Sequence, residues 1–202
     1  MILNRNTIFI IAASFLLSAC SVFSPIKTDQ PTSYLLNTLP KPITKKPKHR
    51  MTLIVAPPSA SQIYNTTQMA YTLQSYQISY FAKNRWADTP AQMVHSLLVQ
   101  TLQDMHYFYA VGMPPMSGYY DYVLNTQLLQ FEQRFSGDLS QFIITLRVQL
   151  VKMGNNQIIA TRQFTAVEPA LENTPHGGVV AANRATTKIL AQVARFCSVK
   201  LQ

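Results

Sequence analysis

Between Phe142 and Val151 the side chains alternate. Phe142, Ile144, Leu146, Val148 and Leu150 fall on one side of an extended backbone, and Ile143, Thr145, Arg147, Gln149 and Val151 on the other. A period of two with one fully apolar side is a strand with one face in a core, and such a strand must join a sheet. Gly154-Asn155-Asn156 supplies a turn, after which Ile158 to Val167 reads as a returning strand. Upstream, Tyr122, Leu124, Thr126 and Leu128 alternate with polar neighbours. The three segments are expected to form an antiparallel meander.

The remaining elements complete a sheet with helices. Tyr34-Leu35-Leu36 is a short strand candidate, and Met51 to Ala56, stopped by Pro57-Pro58, reads as a strand buried on both faces. Met69, Tyr71 and Leu73, then Tyr76, Ile78 and Tyr80, form two period-2 runs around Gln74-Ser75, a hairpin pattern with an unusual turn pair. Thr89-Pro90-Ala91-Gln92 starts a helix, with Thr89 as the expected cap. On it Met93, Val94, Leu97, Leu98, Leu102 and Met105 share one half, and Gln92, His95, Gln100, Gln103 and His106 the other, with Val99 intruding. A last helix is expected after Pro175-His176-Gly177-Gly178. Its core face is Ala182, Thr186, Ile189, Val193, Phe196 and Cys197, with Arg184, Lys188 and Arg195 aligned on its back. The fold class is α/β: a single mixed sheet with an antiparallel meander, packed by two long amphipathic helices.

A chain of 202 residues, 48% hydrophobic and 12% charged, can bury a core without staples and is too apolar for intrinsic disorder. Two cysteines exclude a disulfide-rich scaffold and a multi-cysteine zinc module. The net charge of +9 suggests an anionic partner until it is mapped. Seven basic residues and one acid precede Met51, and Lys41 to Arg50 alone holds five of the seventeen cations between prolines. That run reads first as a solvated loop and second as a phospholipid-headgroup patch.

The N-terminal region explains the placement. Arg5 is its only early charge, and Thr7 to Leu17 is an uncharged apolar run, too short to span a bilayer and right for a signal-peptide core. Leu17-Ser18-Ala19-Cys20 resembles the lipobox of bacterial lipoproteins, which implies acylation of Cys20 and removal of residues 1–19. Several acyl chains hold a protein to a bilayer essentially permanently. Residues 20–32 then read as a lipidated tether and 33–202 as the folded domain. Ser21, where an inner-membrane retention signal commonly has Asp, favours the periplasmic side of the outer membrane, with the inner membrane's periplasmic side as the alternative.

Tyr76-Gln77-Ile78-Ser79-Tyr80-Phe81-Ala82-Lys83-Asn84-Arg85-Trp86-Ala87-Asp88-Thr89-Pro90 leads into the first helix. It resembles the W-A-(E/D)-x-P passage of the ABC-type transport auxiliary lipoproteins, the family of the lipoprotein component of paraquat-inducible, MCE-type systems. The lipobox, the Tyr-x-Leu segment, the strand ending in proline and the Met-x-Tyr strand come in that family's order. The resemblance implies an accessory of an intermembrane lipid transport system whose partners are MCE-domain proteins and ABC transporter or permease components. It also implies an α/β domain and, for some members, homo-oligomeric rings. A structural lipoprotein of another envelope machine, such as a secretion system, is the alternative. Tyr80, Arg85, Trp86, Arg184, Lys188 and Arg195 are the candidate partner-binding residues. Trp86 has two readings, a buried side chain where the helix begins or an exposed hot spot.

No catalytic, cofactor or metal constellation emerges. His95 and His106 are eleven residues apart on one helix, about 16 Å, and cannot chelate one ion. Glu168 and Glu172 flank Pro169 in an expected loop, Gly177-Gly178 reads as a turn leading to a helix, and Cys197 as a small buried hydrophobe. An enzyme is not expected, and the lipobox and the charge map disfavour nucleic acid.

Overall fold

The computed structural model describes residues 30–41, 50–115 and 118–201. The chain divides into two units, Met1–Gln30 and Pro31–Gln202, and only the second is described beyond its boundary residue. Cys20, its apolar leader, most of the tether and residues 42–49 of the basic run lie outside the described residues.

The described residues form β1 (Thr32–Tyr34), β2 (Thr52–Val55), β3 (Ser59–Ala60), a 3-10 turn (Gln62–Tyr64), β4 (Gln68–Thr72), β5 (Ser79–Trp86), α1 (Pro90–Asp104), β6 (Ala110–Gly112), β7 (Tyr122–Ser136), β8 (Leu139–Lys152), β9 (Gln157–Pro169) and α2 (Pro175–Lys200). All nine strands join one mixed sheet. Its spine is the meander β7–β8–β9, antiparallel throughout, with Ser136 opposite Leu139 and Lys152 opposite Gln157. Gly137, at φ +58°, makes the tight turn between β7 and β8, a conformation in which glycine carries no Cβ penalty.

Because β8 occupies one edge of β7 along its whole length, every other strand that pairs with β7 takes its other edge. That edge takes β2, β3 and β4 in turn, all parallel: Leu53 opposite Tyr122, Ser59 opposite Gln127, Tyr71 opposite Gln133. Beyond them β6 runs parallel to β2, β5 antiparallel to β4, and β1 parallel to β5. The expected mixed sheet with a meander and two helices is therefore what the chain forms.

Both helices cover one face. Phe142, Ile144, Leu146, Val148 and Leu150 are buried there with Leu98 and Leu102 of α1 and Ile189, Leu190 and Val193 of α2, in one continuous core. Each such side chain contributes roughly 1.5–3 kcal/mol. On the opposite face, the 3.1 Å Thr145–Thr165 hydroxyl bond adds about 1 kcal/mol at most. The helix-covered face carries the stability.

Several local expectations are corrected. The first strand is Thr32–Tyr34, and Leu35 is half exposed. β7 continues eight residues past Leu128, because a bulge between Leu128 and Gln130 reverses the alternation there. The β4–β5 turn includes the expected Gln74-Ser75 and is wider than that pair: Gln77 N donates to the Gln74 carbonyl at 3.3 Å around Ser75 and Tyr76, the latter at φ +67°. Thr89 makes no side-chain cap, and instead its N–H donates to Asp88 Oδ1 at 2.6 Å. His95 belongs to the core side of α1, with Nε2 3.0 Å from the Val55 carbonyl oxygen. Finally α2 starts at Pro175, with Gly177 and Gly178 in its first turn and Thr174 Oγ1 accepting from Gly177 N at 3.0 Å.

Candidate functional site

The segment from Tyr80 to Pro90 is a joint between three elements. Trp86 closes β5: its N–H donates to the Thr67 carbonyl at 2.7 Å, and the next N–H, of Ala87, to the Tyr34 carbonyl at 2.6 Å. The Trp86 ring is 2% exposed and packs edge-on against Phe131 and Phe142, at centroid distances of 5.3 and 6.3 Å. Its side chain is therefore absent from the surface, which removes the exposed hot-spot reading. Arg85, pointing outward, donates through Nε to Ser33 Oγ at 3.1 Å, and the Tyr80 hydroxyl donates to the Ile63 carbonyl at 3.1 Å. Pro90 then starts α1.

The three aligned cations of α2 separate into two environments. Arg184 and Lys188 both pair with the buried carboxylate of Glu168, which β9 directs toward the helix. Glu168 is thus a strand residue held by two cations, not a loop acid, and much of the charge of Arg184 and Lys188 is compensated within the domain. They border a cleft of about 530 Å³ with Asn183 and Thr187. Those two side chains strap the segment after β1 across α2: Asn183 Oδ1 accepts from Asn37 N at 2.9 Å, and Thr187 Oγ1 donates to the Thr38 carbonyl at 3.2 Å. Neither had a local sequence signature.

Arg195 lies further along the helix, in a groove of about 430 Å³ between β9 and α2 that Arg162 and Lys200 also line, with no carboxylate among the lining residues. Arg162 sits 5.2 Å over the Phe164 ring, and Phe164 meets Phe196 at 5.9 Å. Three cations around an aromatic floor make a surface suited to an acidic, partly apolar segment.

On the face away from the helices Glu132 is buried and fully bonded. Tyr64 and Thr72 donate to Oε2 at 3.0 and 3.3 Å, and Gln130 and Arg134 to Oε1, each at 2.9 Å. Burial, then the Glu132 charge, pushes the Tyr64 hydroxyl well above the usual tyrosine range. A carboxylate with four donors is a structural clamp. Cys197 is enclosed, and burial pushes its thiol up to about 12, which removes it as a nucleophile at neutral pH. Among the described residues no group of three or more His, Cys, Asp or Glu could hold a metal, and no helix is long and apolar enough to cross a membrane.

The described residues thus form a single mixed sheet with two helices on one face and a basic groove between β9 and α2. The sequence profile of the ABC-type transport auxiliary lipoprotein component family matches residues 34–194, and the chain belongs to that family. It is an auxiliary lipoprotein of the cell envelope, associated with a transport system. Protein XCC0632 from Xanthomonas campestris superposes at a TM-score of 0.77 with 21% identity, over 84% of this chain and 96% of that one. A crystal structure of an uncharacterized protein superposes at 0.68 with 17% identity, over 84% of this chain and 100% of its own. These likenesses establish the fold. Among curated proteins, none matches this chain.

Proposed function

We propose that this protein is the periplasm-facing accessory of an MCE/ABC-type intermembrane lipid transport system, anchored in the outer membrane by acylated Cys20 and docking the MCE assembly there. The observation that carries the reading is the family match over residues 34–194. The groove of Arg162, Arg195 and Lys200 supports a docking role, since its lining leaves its charge free for an acidic segment of a partner. Tyr80, Arg85 and Trp86 act on docking through the joint they hold. Arg184 and Lys188, committed to Glu168, contribute less than Arg195.

The test is co-purification from the native envelope with MCE-domain proteins and permease components, with light scattering of the purified lipoprotein to measure self-association. The Arg162→Glu/Arg195→Glu variant is expected to retain at least tenfold less partner with an unchanged melting temperature. Unchanged retention sinks the groove. Failure of the wild type to capture any MCE or permease component sinks the transport reading and favours another envelope machine. Cys20→Ser is expected to move the protein from the membrane fraction to the soluble one.

A further inference from the structure

Among the described residues β9 pairs with β8 alone, so its other side is an edge of the sheet. It is 13 residues long, against 3 each for β1 and β6 at the two limits of the main strand order. Ala170 N donates to the Ser140 carbonyl at 2.9 Å, in register with the β8–β9 ladder. By the two-residue repeat of that ladder, Arg162, Phe164, Ala166 and Glu168 turn their N–H and C=O toward β8. Thr161, Gln163, Thr165 and Val167 turn theirs outward. Pro169, which has no N–H, stands at an outward position, as a proline in an edge strand must. Its carbonyl accepts from the Arg184 guanidinium of α2. A register shift beside Ala160 and Pro169 itself guard the two ends of this edge. Between them Thr161 to Val167, about 23 Å of strand, stays open.

That edge borders the basic groove. Arg162, Gln163, Phe164 and Thr165, in unbroken succession, line it, so the groove follows the edge and not one face of the strand. Arg162 and Phe164 lie on the α2 side, opposite Val148 and Leu146, which belong to the core. The other wall is α2, with Arg195, Phe196 and Lys200. A strand laid along β9 would send every second side chain toward α2. It would meet a cation and then an aromatic ring at a spacing of about 7 Å.

We propose that the open edge of β9 takes an extended acidic segment of a protein partner as an added strand. Carboxylates of that segment face Arg162, Arg195 and Lys200, and an apolar residue two positions away rests on Phe164 and Phe196. The proposal rests on the docking role given to the groove above and names the form of what docks there. In such additions main-chain hydrogen bonds supply affinity and alternate side chains supply selectivity. Charge favours a partner over a second copy of this chain. No two of its eight acids stand closer in sequence than Glu168 and Glu172, so it has no strand with acids at alternate positions to offer. Two β9 edges brought together would crowd like charges.

The test uses the full-length protein in detergent and the fluorescence anisotropy of a dye-labelled peptide. The peptide has threonine at every second position, with glutamate and valine alternating between. It is expected to bind, and a counterpart with lysine in place of glutamate to bind at least tenfold more weakly. Two N-methylated versions decide the mode, one blocking the threonine amides and the other those of glutamate and valine. An added strand turns one set of amides to β9 and the other to solvent. One version is therefore expected to lose at least tenfold in affinity and the other to bind like the parent. No binding of the parent, or equal affinity of the two versions, overturns the proposal. Gln163→Pro removes an outward N–H that β8 does not use, and is expected to weaken the peptide at least tenfold while the domain still melts cooperatively. If that variant fails to fold, the N-methylated pair still decides. A self-associated species that Gln163→Pro dissolves, with no peptide bound by the wild type, assigns the edge to a second copy and overturns the proposal. Partner capture that Arg162→Glu/Arg195→Glu abolishes and Gln163→Pro leaves intact overturns the added strand alone, and the groove stays a docking site.

Discussion

The hydroxyl of Tyr64 donates a 3.0 Å hydrogen bond to Glu132 Oε2, joining the 3-10 turn to the middle of β7 on the face that neither helix covers. Removing one donor from a buried carboxylate that keeps three others costs about 1–2 kcal/mol. Tyr64→Phe is therefore expected to lower the unfolding free energy by that amount, read as a lower urea midpoint at an unchanged slope. A shift below about 0.5 kcal/mol would mean that the remaining donors suffice.

Trp86→Ala removes a large, fully enclosed ring wedged against Phe131 and Phe142, and is expected to cost about 3–5 kcal/mol. Trp86→Phe keeps most of the ring and is expected to cost less. Melting curves taken beside partner pull-downs check the assignment, since any loss of partner should track the unfolded fraction. Lost retention at an unchanged melting temperature would return Trp86 to the interface.

At Gly178 an added Cβ would run into the side-chain amide of Gln133, which itself donates to Ser140 Oγ at 3.0 Å and to the Thr174 carbonyl at 3.2 Å. Gly178→Ala is expected to destabilise by about 1–3 kcal/mol despite alanine's better helix propensity. Gly154→Ala, where the new carbon meets nothing within 4 Å, should stay within about 0.5 kcal/mol. Equal effects at the two positions would remove the steric account.

Cys197 sets a pH dependence. An unfolded chain ionises this thiol near 9, while the folded one holds its proton until about 12. As pH rises between those values the unfolded state gives up a proton that the native state keeps, so stability falls. Cys197→Ala should flatten that branch by up to about 1.4 kcal/mol per pH unit. Identical alkaline slopes for the two proteins would contradict it. Below pH 9 the thiol should alkylate only as fast as the domain opens, making it a native reporter of unfolding.

Elements that announce themselves locally were legible in the sequence. The alternation from Phe142 to Leu150, the Gly154-Asn155-Asn156 turn and Pro90 at the start of α1 each follow from neighbours in the chain. What escaped depends on partners far away. β7 seemed to end at Leu128 because its bulge shifts the alternation by one residue. His95 looked solvent-facing because its acceptor, the Val55 carbonyl, is 40 residues earlier. The pairing of Glu168 with Arg184 and Lys188, and of Glu132 with Tyr64 and Thr72, bridges a strand to another element with no shared local pattern. Arg195 was found by its helical spacing, but only the sheet brings Arg162 beside it to form the groove.

One edge of β7 is the template on which β2, β3 and β4 are laid side by side, and it has a consequence for how the chain comes together. A ribosome makes residues 52–72 about sixty to seventy residues before their partners on β7. β4 can pair with β5 and β2 with β6 before then, but one edge of each, and β3 altogether, waits for β7 to emerge and close on β8 through Gly137, a local hairpin that forms at low contact order. An early part of the sheet is thus completed only by a later one, and the half-made protein carries open β-prone edges that a chaperone would have reason to hold.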